Sequence, residues 1–458
     1  MKACPTGERR VCPWKSVHDS SSVPPRASKD PAAGSVTLGL RANWRQFALL
    51  VLVNAFVGAM VGLERSVLPV IAVTEFRIVS TTAVLSFIAT FGLAKALTNL
   101  GAGWLADRRR RRATLIVGWI VGLPVPLLIL WAPTWAWVVG ANALLGINQG
   151  LAWSATVIMK IDLVGPRRRG LAMGMNEFAG YVAVGVAGFA SGYVATRFGL
   201  RAGAAYLGLA VAVTGLSLSL FVKETAGHAL LESAGSAVAE RPSLLEIFKR
   251  SLWSDRDLFS VSQAGLVNNL NDGLAWGVFP LLFLRSGLSV AQAGALAAIY
   301  PITWGLSQLV TGAMGDRWGR RRLIVIGMLL QGVSLIAIAF TNRFAAWAAY
   351  LAMLGLGTAL VYPSLLAAVG DLAHASWRGV AVGVYRFWRD LGYVVGALLA
   401  GVLADVFGTS VAITCIGVLT VLSGIFVALR FREPRVERVR PQSVRDASHV
   451  NSLQPTRP

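Results

Sequence analysis

A succession of long apolar blocks restricts what this chain can fold into more than any other feature. They occupy residues 46–72, 80–106, 113–132, 135–160, 170–196, 201–222, 259–284, 291–314, 322–341, 344–369, 378–404 and 409–430. A helix of about 20 apolar residues crosses the hydrocarbon of a bilayer. Only 14% of the residues are charged, against about 25% in soluble domains, and one or two soluble cores could not bury twelve such blocks. A soluble enzyme, a disulfide scaffold and a disordered regulator are excluded. The fold class expected is an all-α membrane protein with twelve transmembrane helices.

The net charge of +21 would point to nucleic acid in a soluble protein, but here the cations lie mostly between the blocks. With the amino terminus inside, the segments on that side hold 33 Lys and Arg. The opposite loops hold 5, namely Arg77, Arg197, Arg201, Arg285 and Arg343. This bias places both termini in the cytoplasm and requires an even number of spans. Residues 1–45 and 431–458 are polar and basic and read as disordered cytoplasmic tails. The first carries no apolar core of the kind a signal peptide has. Cys4, Cys12 and Cys415 follow no redox or metal-binding spacing.

The chain repeats itself. Gly103-Trp-Leu-Ala-Asp107-Arg108 recurs as Gly312-Ala-Met-Gly-Asp316-Arg317, Leu145-Gly146 as Leu354-Gly355, and Arg169-Gly170-Leu-Ala-Met-Gly174 as Arg378-Gly379-Val-Ala-Val-Gly383, each offset by 209 residues. The expected organisation is an N-terminal six-helix half, 46–222, a cytoplasmic linker, 223–258, and a C-terminal six-helix half in the same orientation, 259–430. Parallel halves around a central axis are a transporter architecture, with the substrate at their interface near the midplane.

The loop from Gly103 to Arg112, between the second and third blocks, and Gly312-Ala-Met-Gly-Asp316-Arg-Trp-Gly319-Arg-Arg321, between the eighth and ninth, resemble the loop signature of the major facilitator superfamily. Gly146-Ile-Asn-Gln-Gly150 resembles that family's fourth-helix motif, and the likeness covers residues 46–430. This chain departs from the pattern with Arg110 in place of Gly, with Asn142 where many members carry Arg, and with no Gly-Pro pair in the fifth block. The resemblance implies a cavity lined by helices 1, 4, 7 and 10. It makes Gly103, Asp107, Arg108, Gly312, Asp316, Arg317, Gly319 and Arg320 the expected gating loops. Independently of the family, an Asp in a short cytoplasmic turn can accept backbone N–H groups at a neighbouring helix start. Asp107 and Asp316 could thus latch one state, the plainer alternative being positive-inside anchoring by the Arg runs.

Eight charged residues fall well inside the blocks: Glu64, Arg65, Lys95, Glu177, Asp272, Arg386, Arg389 and Asp390. Each costs about 2.5–3.5 kcal/mol at bilayer depth on insertion scales. Four acids against four bases read either as structural pairs or as pairs broken and remade during transport. Asp272 sits in Asn268-Asn269-Leu-Asn271-Asp272-Gly273, a polar cluster that must face water or protein. The fourth block offers Asn148, Gln149 and Trp153, and Trp153 matches Tyr362 at the 209 offset. Such an aromatic pair could grip an amphipathic solute or simply pack. Arg386 and Asp390 share a helix face, with Arg389 a surplus cation beside them. Lys160 and Asp162 read as a surface pair. The candidate substrate and coupling residues are Glu64, Arg65, Asn148, Gln149, Trp153, Asn268, Asn269, Asn271, Asp272, Tyr362, Arg386, Arg389 and Asp390.

No GxxxxGK[ST] occurs, so this polypeptide does not drive transport with ATP. No HExxH or GxSxG occurs and the four histidines are scattered, so neither an enzyme, a metal nor a cofactor is expected. The function expected is a secondary active transporter of a small organic solute, working by alternating access in the cytoplasmic membrane, coupled to protons and running as an exporter. The alternatives are an organic-anion uptake transporter and a non-transporting receptor of the same fold. Coupling needs an acid whose surroundings change as it gains and loses a proton, and Asp272 and Glu64 are the candidates. The expected partners are the lipid bilayer, a small-molecule substrate and protons, with no nucleic acid, and the chain is expected to act as a monomer.

Overall fold

The computed structural model describes residues 37–106, 111–164, 169–228, 242–373 and 377–433. Among these residues there is no strand and twelve long rods form. They are α1 (Trp44–Thr74), α2 (Thr81–Ala106), α3 (Arg111–Gly122, continuing as Val125–Leu130), α4 (Trp135–Val164), α5 (Arg169–Phe198) and α6 (Leu200–Leu220). The others are α7 (Arg256–Arg285), α8 (Val290–Trp318), α9 (Arg320–Ala339), α10 (Phe344–Leu372), α11 (Arg378–Phe407) and α12 (Thr409–Arg430). Each apolar block has become a helix because a backbone in lipid must satisfy its own N–H and C=O groups. α3 is interrupted at Pro124, which has no N–H to give. Ten of the rods are long and apolar enough to cross a membrane by length and composition. α4 and α7 fall outside that group, and they carry the buried amides Asn142, Asn148, Gln149, Asn268, Asn269 and Asn271.

Helix starts and links follow from local chemistry. Asp255 accepts the N–H groups of Asp257 and Leu258 at the start of α7, and Ser289 forms a reciprocal capping box with Gln292 at the start of α8. α5 passes to α6, α8 to α9 and α11 to α12 through single glycines: Gly199 (φ +85°), Gly319 (+88°) and Gly408 (+90°). Only glycine enters that region without strain. Gly199 and Gly408 stand 209 residues apart, and the position matching Gly319 is Arg110, which lies outside the described residues.

Packing recurs along the chain. α1 lies on α5, α2 on α4 and α3 on α4; likewise α7 lies on α11, α8 on α10 and α9 on α10. Between the two sets, α2 packs on α11 and α5 on α8. Small residues permit the closest approaches: a Cβ on Gly58 or Gly62 of α1 would collide with the carbonyls of Gly180 and Val184 in α5. Ser66 and Ser191 fasten the same pair of helices through the carbonyls of Gly188 (2.7 Å) and Leu63 (2.8 Å). Outward-facing Leu93, Leu97, Val186, Phe189, Leu309 and Val310 remain exposed, as hydrocarbon surroundings allow.

The ends of the expected tails are more ordered than their composition suggests. The Gly39 N–H and the Asn43 amide both bond the carbonyl of Leu163 (2.9 and 3.3 Å). Within the expected linker, a short helix Leu244–Lys249 leads through a π-turn, Arg250–Ser254, into α7. Phe431 is buried and the Arg432 N–H meets Asp257 at 2.8 Å. Each of these bonds has a backbone group at one end, which composition does not report. Residues 1–36, 229–241 and 434–458 lie outside the described residues.

Candidate functional site

Where α2, α4 and α5 face α7, α8, α10 and α11, six of the eight intramembrane charges gather. Asp272 of α7 is fully buried. Its Oδ1 accepts the Tyr300 hydroxyl of α8, and its Oδ2 faces the Tyr393 hydroxyl of α11 at 3.4 Å. The Tyr300 hydroxyl also meets Thr358 of α10 at 3.2 Å. Asp272 is thus held by hydroxyls and has no ion pair among the described residues.

One turn away, Asp390 of α11 accepts the amides of Asn99 in α2 (2.5 Å) and Asn269 in α7 (3.3 Å). Arg389 is its neighbour at 3.9 Å. The Arg389 guanidinium donates to Asn269 (3.1 Å), Tyr362 of α10 (3.3 Å) and Tyr181 of α5 (3.1 Å). Arg386, half-buried, reaches Ser154 of α4 at 3.4 Å, and Ser154 in turn donates to Asn99 at 2.9 Å. The face shared by Arg386 and Asp390 in the sequence therefore serves two different neighbours.

Aromatic rings fill the space between these groups. Trp153 lies against Tyr181, Tyr181 stacks on Trp304, and Trp304 meets Tyr362 edge-on, so the matched pair Trp153 and Tyr362 is joined by two rings the sequence did not single out. Trp153 donates to Glu177 of α5 at 3.2 Å, which also accepts Asn176 at 3.0 Å. Lys95 of α2 has no hydrogen-bond or ion-pair partner among the described residues. Its ammonium lies over Phe91 (5.6 Å), Trp153 (5.7 Å) and Tyr393 (5.3 Å), an arrangement favoured by the ring quadrupoles.

Other candidates lie elsewhere. Glu64 lines a small gap among α1, α3 and α6 with Pro126, Ile129 and Gly208, while Arg65 lines a different one with α5, α7 and α8. Successive helical residues diverge. Asn148 bonds the Gly118 carbonyl of α3 (2.8 Å) and Gln149 the Val57 carbonyl of α1 (2.8 Å). Asn268 and Asn271 both bond Gln331 of α9, at 3.1 and 3.0 Å, and Thr420 of α12 donates to Asn271 at 2.7 Å. The Asn run thus splits into one face that fastens α9 and α12 and another, Asn269 and Asp272, in the central network. Lys160 and Asp162 are both buried rather than a surface pair: Lys160 donates to the Leu50 carbonyl (3.1 Å), and Asp162 pairs with Arg111 (2.9 Å) and Thr225 (2.7 Å).

At the ends expected to be cytoplasmic, Asp107 and Arg108 lie outside the described residues, and so does the side chain of Asp316. Gly103 lies in the last turns of α2, Gly312 and Asp316 near the end of α8, and Arg317 is exposed. Acids meet the starts of α3 and α9 here: Glu224 accepts the Arg112 N–H of α3 (3.0 Å), and Glu433 the Arg320 N–H of α9 (2.5 Å). Each favours the positive end of a helix dipole. The Arg320 side chain pairs with Asp371 at 3.4 Å, as Arg111 does with Asp162. Glu224 and Glu433, Asp162 and Asp371, and Arg111 and Arg320 all stand 209 residues apart, a signal the sequence carried through residue chemistry rather than through a motif.

At the opposite end, Asp405 of α11 caps α2. It accepts the N–H groups of Thr81 (2.5 Å) and Thr82 (3.0 Å) and the hydroxyls of Ser80 (2.7 Å) and Thr82 (2.8 Å). Losing a helix cap costs about 1 kcal/mol, or about fivefold in an equilibrium. Asp405→Ala is therefore expected to favour separation of α2 from α11 at this end by about that factor. A cysteine at Ala297, in a background without Cys415, should react faster with a membrane-impermeant maleimide; an unchanged rate would mean that the clasp carries no weight.

A sequence model of the Major Facilitator Superfamily matches residues 47–263 and again 261–456. Over 411 residues the chain is 21% identical to the multidrug resistance protein MdtG of Klebsiella pneumoniae, which covers 87% of this chain and 97% of that relative. Over 129 residues it is 30% identical to the methyl viologen resistance protein SmvA of Salmonella typhimurium; the match covers 28% of this chain and spans only 26% of that relative's length. The fold is similar to the crystal structure of a POT family transporter in complex with a thioalcohol conjugated peptide, with a TM-score of 0.68, 14% identity, and coverage of 84% of this chain and 96% of that one.

Proposed function

The chain belongs to the Major Facilitator Superfamily, and from that premise we propose that it is a secondary transporter of a small organic solute, driven by protons that Asp272 takes up and releases. The observation that carries the proton role is the setting of Asp272, buried among the Tyr300 and Tyr393 hydroxyls without an ion pair among the described residues. A carboxylate there accepts two O–H bonds, and a carboxylic acid can donate one and accept the other, so both protonation states fit. Asp390 is less suited, because Arg389 and two amides stabilise its charge. Glu64, on the far face of α1, does not touch the central network.

The two halves, 46–222 and 259–430 with the linker 223–258 between them, would rock about the central network to expose it alternately. The packing of α2 on α11 and α5 on α8 supports this reading, as does the recurrence of pairings within each set. The likeness to MdtG and SmvA, both named as resistance proteins, supports export. We assign the chain to the cytoplasmic membrane with both termini and residues 223–258 inside, on the 33-to-5 distribution of Lys and Arg. Reporter fusions after residue 240 and at the carboxyl end should both give cytoplasmic signals; an external signal at either would overturn this orientation.

The transport reading itself is tested by counterflow. Proteoliposomes loaded with an unlabelled solute that stabilises the purified protein against heat should accumulate the labelled solute transiently. Binding without any counterflow would make the chain a receptor.

A further inference from the structure

Arg65 is 4% exposed, and its Nε, Nη1 and Nη2 all lack hydrogen-bond partners. Its guanidinium lies over Phe91 (4.4 Å), Phe87 (5.1 Å) and Trp276 (5.1 Å). It also lines the gap between α1, α5, α7 and α8, together with Trp276, Phe279, Pro280, Tyr300 and Pro301. Trp276 brings a second unpaired donor, its buried indole Nε1. Two donors therefore converge on one gap where neither has an acceptor, and the remaining walls are mostly apolar or aromatic. A buried cation left this way is costly, and rings in contact offset only part of that cost. Arg389, by contrast, bonds three side chains.

The gap adjoins the coupling acid. Trp276 stacks on Tyr393 at 5.1 Å, and Tyr300, another lining residue, bonds Asp272. Lys95 lies over the Phe91 ring that also carries Arg65, so the positive charge facing this region is not Arg65's alone. A carboxylate matches a guanidinium fork with two parallel N–H···O bonds, and an apolar body suits the walls.

We propose that Arg65 and the Trp276 indole form the anion-binding end of this cavity, taking the carboxylate of an organic monocarboxylate with an apolar body. The proposal rests on the transporter reading above and gives its substrate class. Arg65→Gln removes an unpaired charge, so the empty protein should be no less heat-stable than the wild type.

The test is thermal unfolding of the purified full chain with benzoate and, as its uncharged counterpart, benzamide. Benzoate should raise the unfolding temperature and benzamide should not. The half-saturating benzoate concentration should rise at least about tenfold in Arg65→Gln, for loss of a bidentate charged contact, and by a smaller factor in Trp276→Phe, which keeps a ring and loses the donor. Arg65→Lys, which keeps the charge and loses the fork, should also weaken benzoate. Equal effects of benzoate and benzamide, or benzoate binding unchanged in Arg65→Gln, would overturn the proposal. So would a marked loss of heat stability in empty Arg65→Gln, which would make Arg65 a packing residue. Arg65-dependent benzoate binding without benzoate counterflow would support the site and count against the transport reading alone.

Discussion

Asp272→Asn is expected to abolish solute movement driven by a pH gradient while leaving exchange of labelled for unlabelled solute intact. The amide has the shape of the protonated acid and can still meet the Tyr300 and Tyr393 hydroxyls, but it carries no exchangeable charge. The conformational cycle can therefore turn over without a proton. A gradient of one pH unit is worth about 1.36 kcal/mol per proton, or about tenfold in solute ratio, and all of it should vanish in the variant. Full gradient-driven transport by Asp272→Asn would remove the residue from coupling. Loss of both gradient-driven transport and exchange in a folded protein would recast it as a substrate ligand.

A second large effect is expected at Arg389. Its guanidinium joins α11 to α5, α7 and α10 through Tyr181, Asn269 and Tyr362, and stands 3.9 Å from Asp390. Arg389→Met leaves Asp390 fully buried with amides alone, and removing one partner of a buried pair costs about 3–5 kcal/mol. Thermal unfolding in detergent should show a pronounced loss of stability. The double variant Arg389→Met with Asp390→Leu should recover part of it, because no uncompensated charge remains. Wild-type stability in Arg389→Met would place Arg389 with charges that trade partners during the cycle instead of with those that hold the bundle.

The helices were legible because lipid leaves a chain few choices. Twelve apolar runs became twelve rods, with ends a few residues away from those of the runs. The site was less legible, because a run of letters does not state which way each side chain points. Asn268, Asn269, Asn271 and Asp272 look like one cluster in the sequence, yet the helix divides them between Gln331 and Thr420 on one side and Asp390, Tyr300 and Tyr393 on the other. Glu64 and Arg65 part in the same way. Asn148 and Gln149 went to neighbouring backbones rather than to the central network.

Some of what escaped was within reach. Phe91 and Tyr300, and Lys95 and Trp304, also stand 209 residues apart, and all four belong to the central region. Their identities differ, so a search for matching letters passes over them. The cage around Arg65 was not readable in the sequence, because Phe87, Phe91 and Trp276 approach it only through the packing of α1 against α2 and α7.

The claim that solute and proton move as one event through Asp272 is tested most directly by the internal pH of proteoliposomes while solute flows down its own gradient. Vesicles carrying the wild type and a trapped pH indicator should show a pH change that begins with solute addition and scales with its flux. Vesicles carrying Asp272→Asn should pass the solute with no pH change. A pH change of wild-type size in Asp272→Asn, or solute flux through the wild type with a constant internal pH, would contradict it.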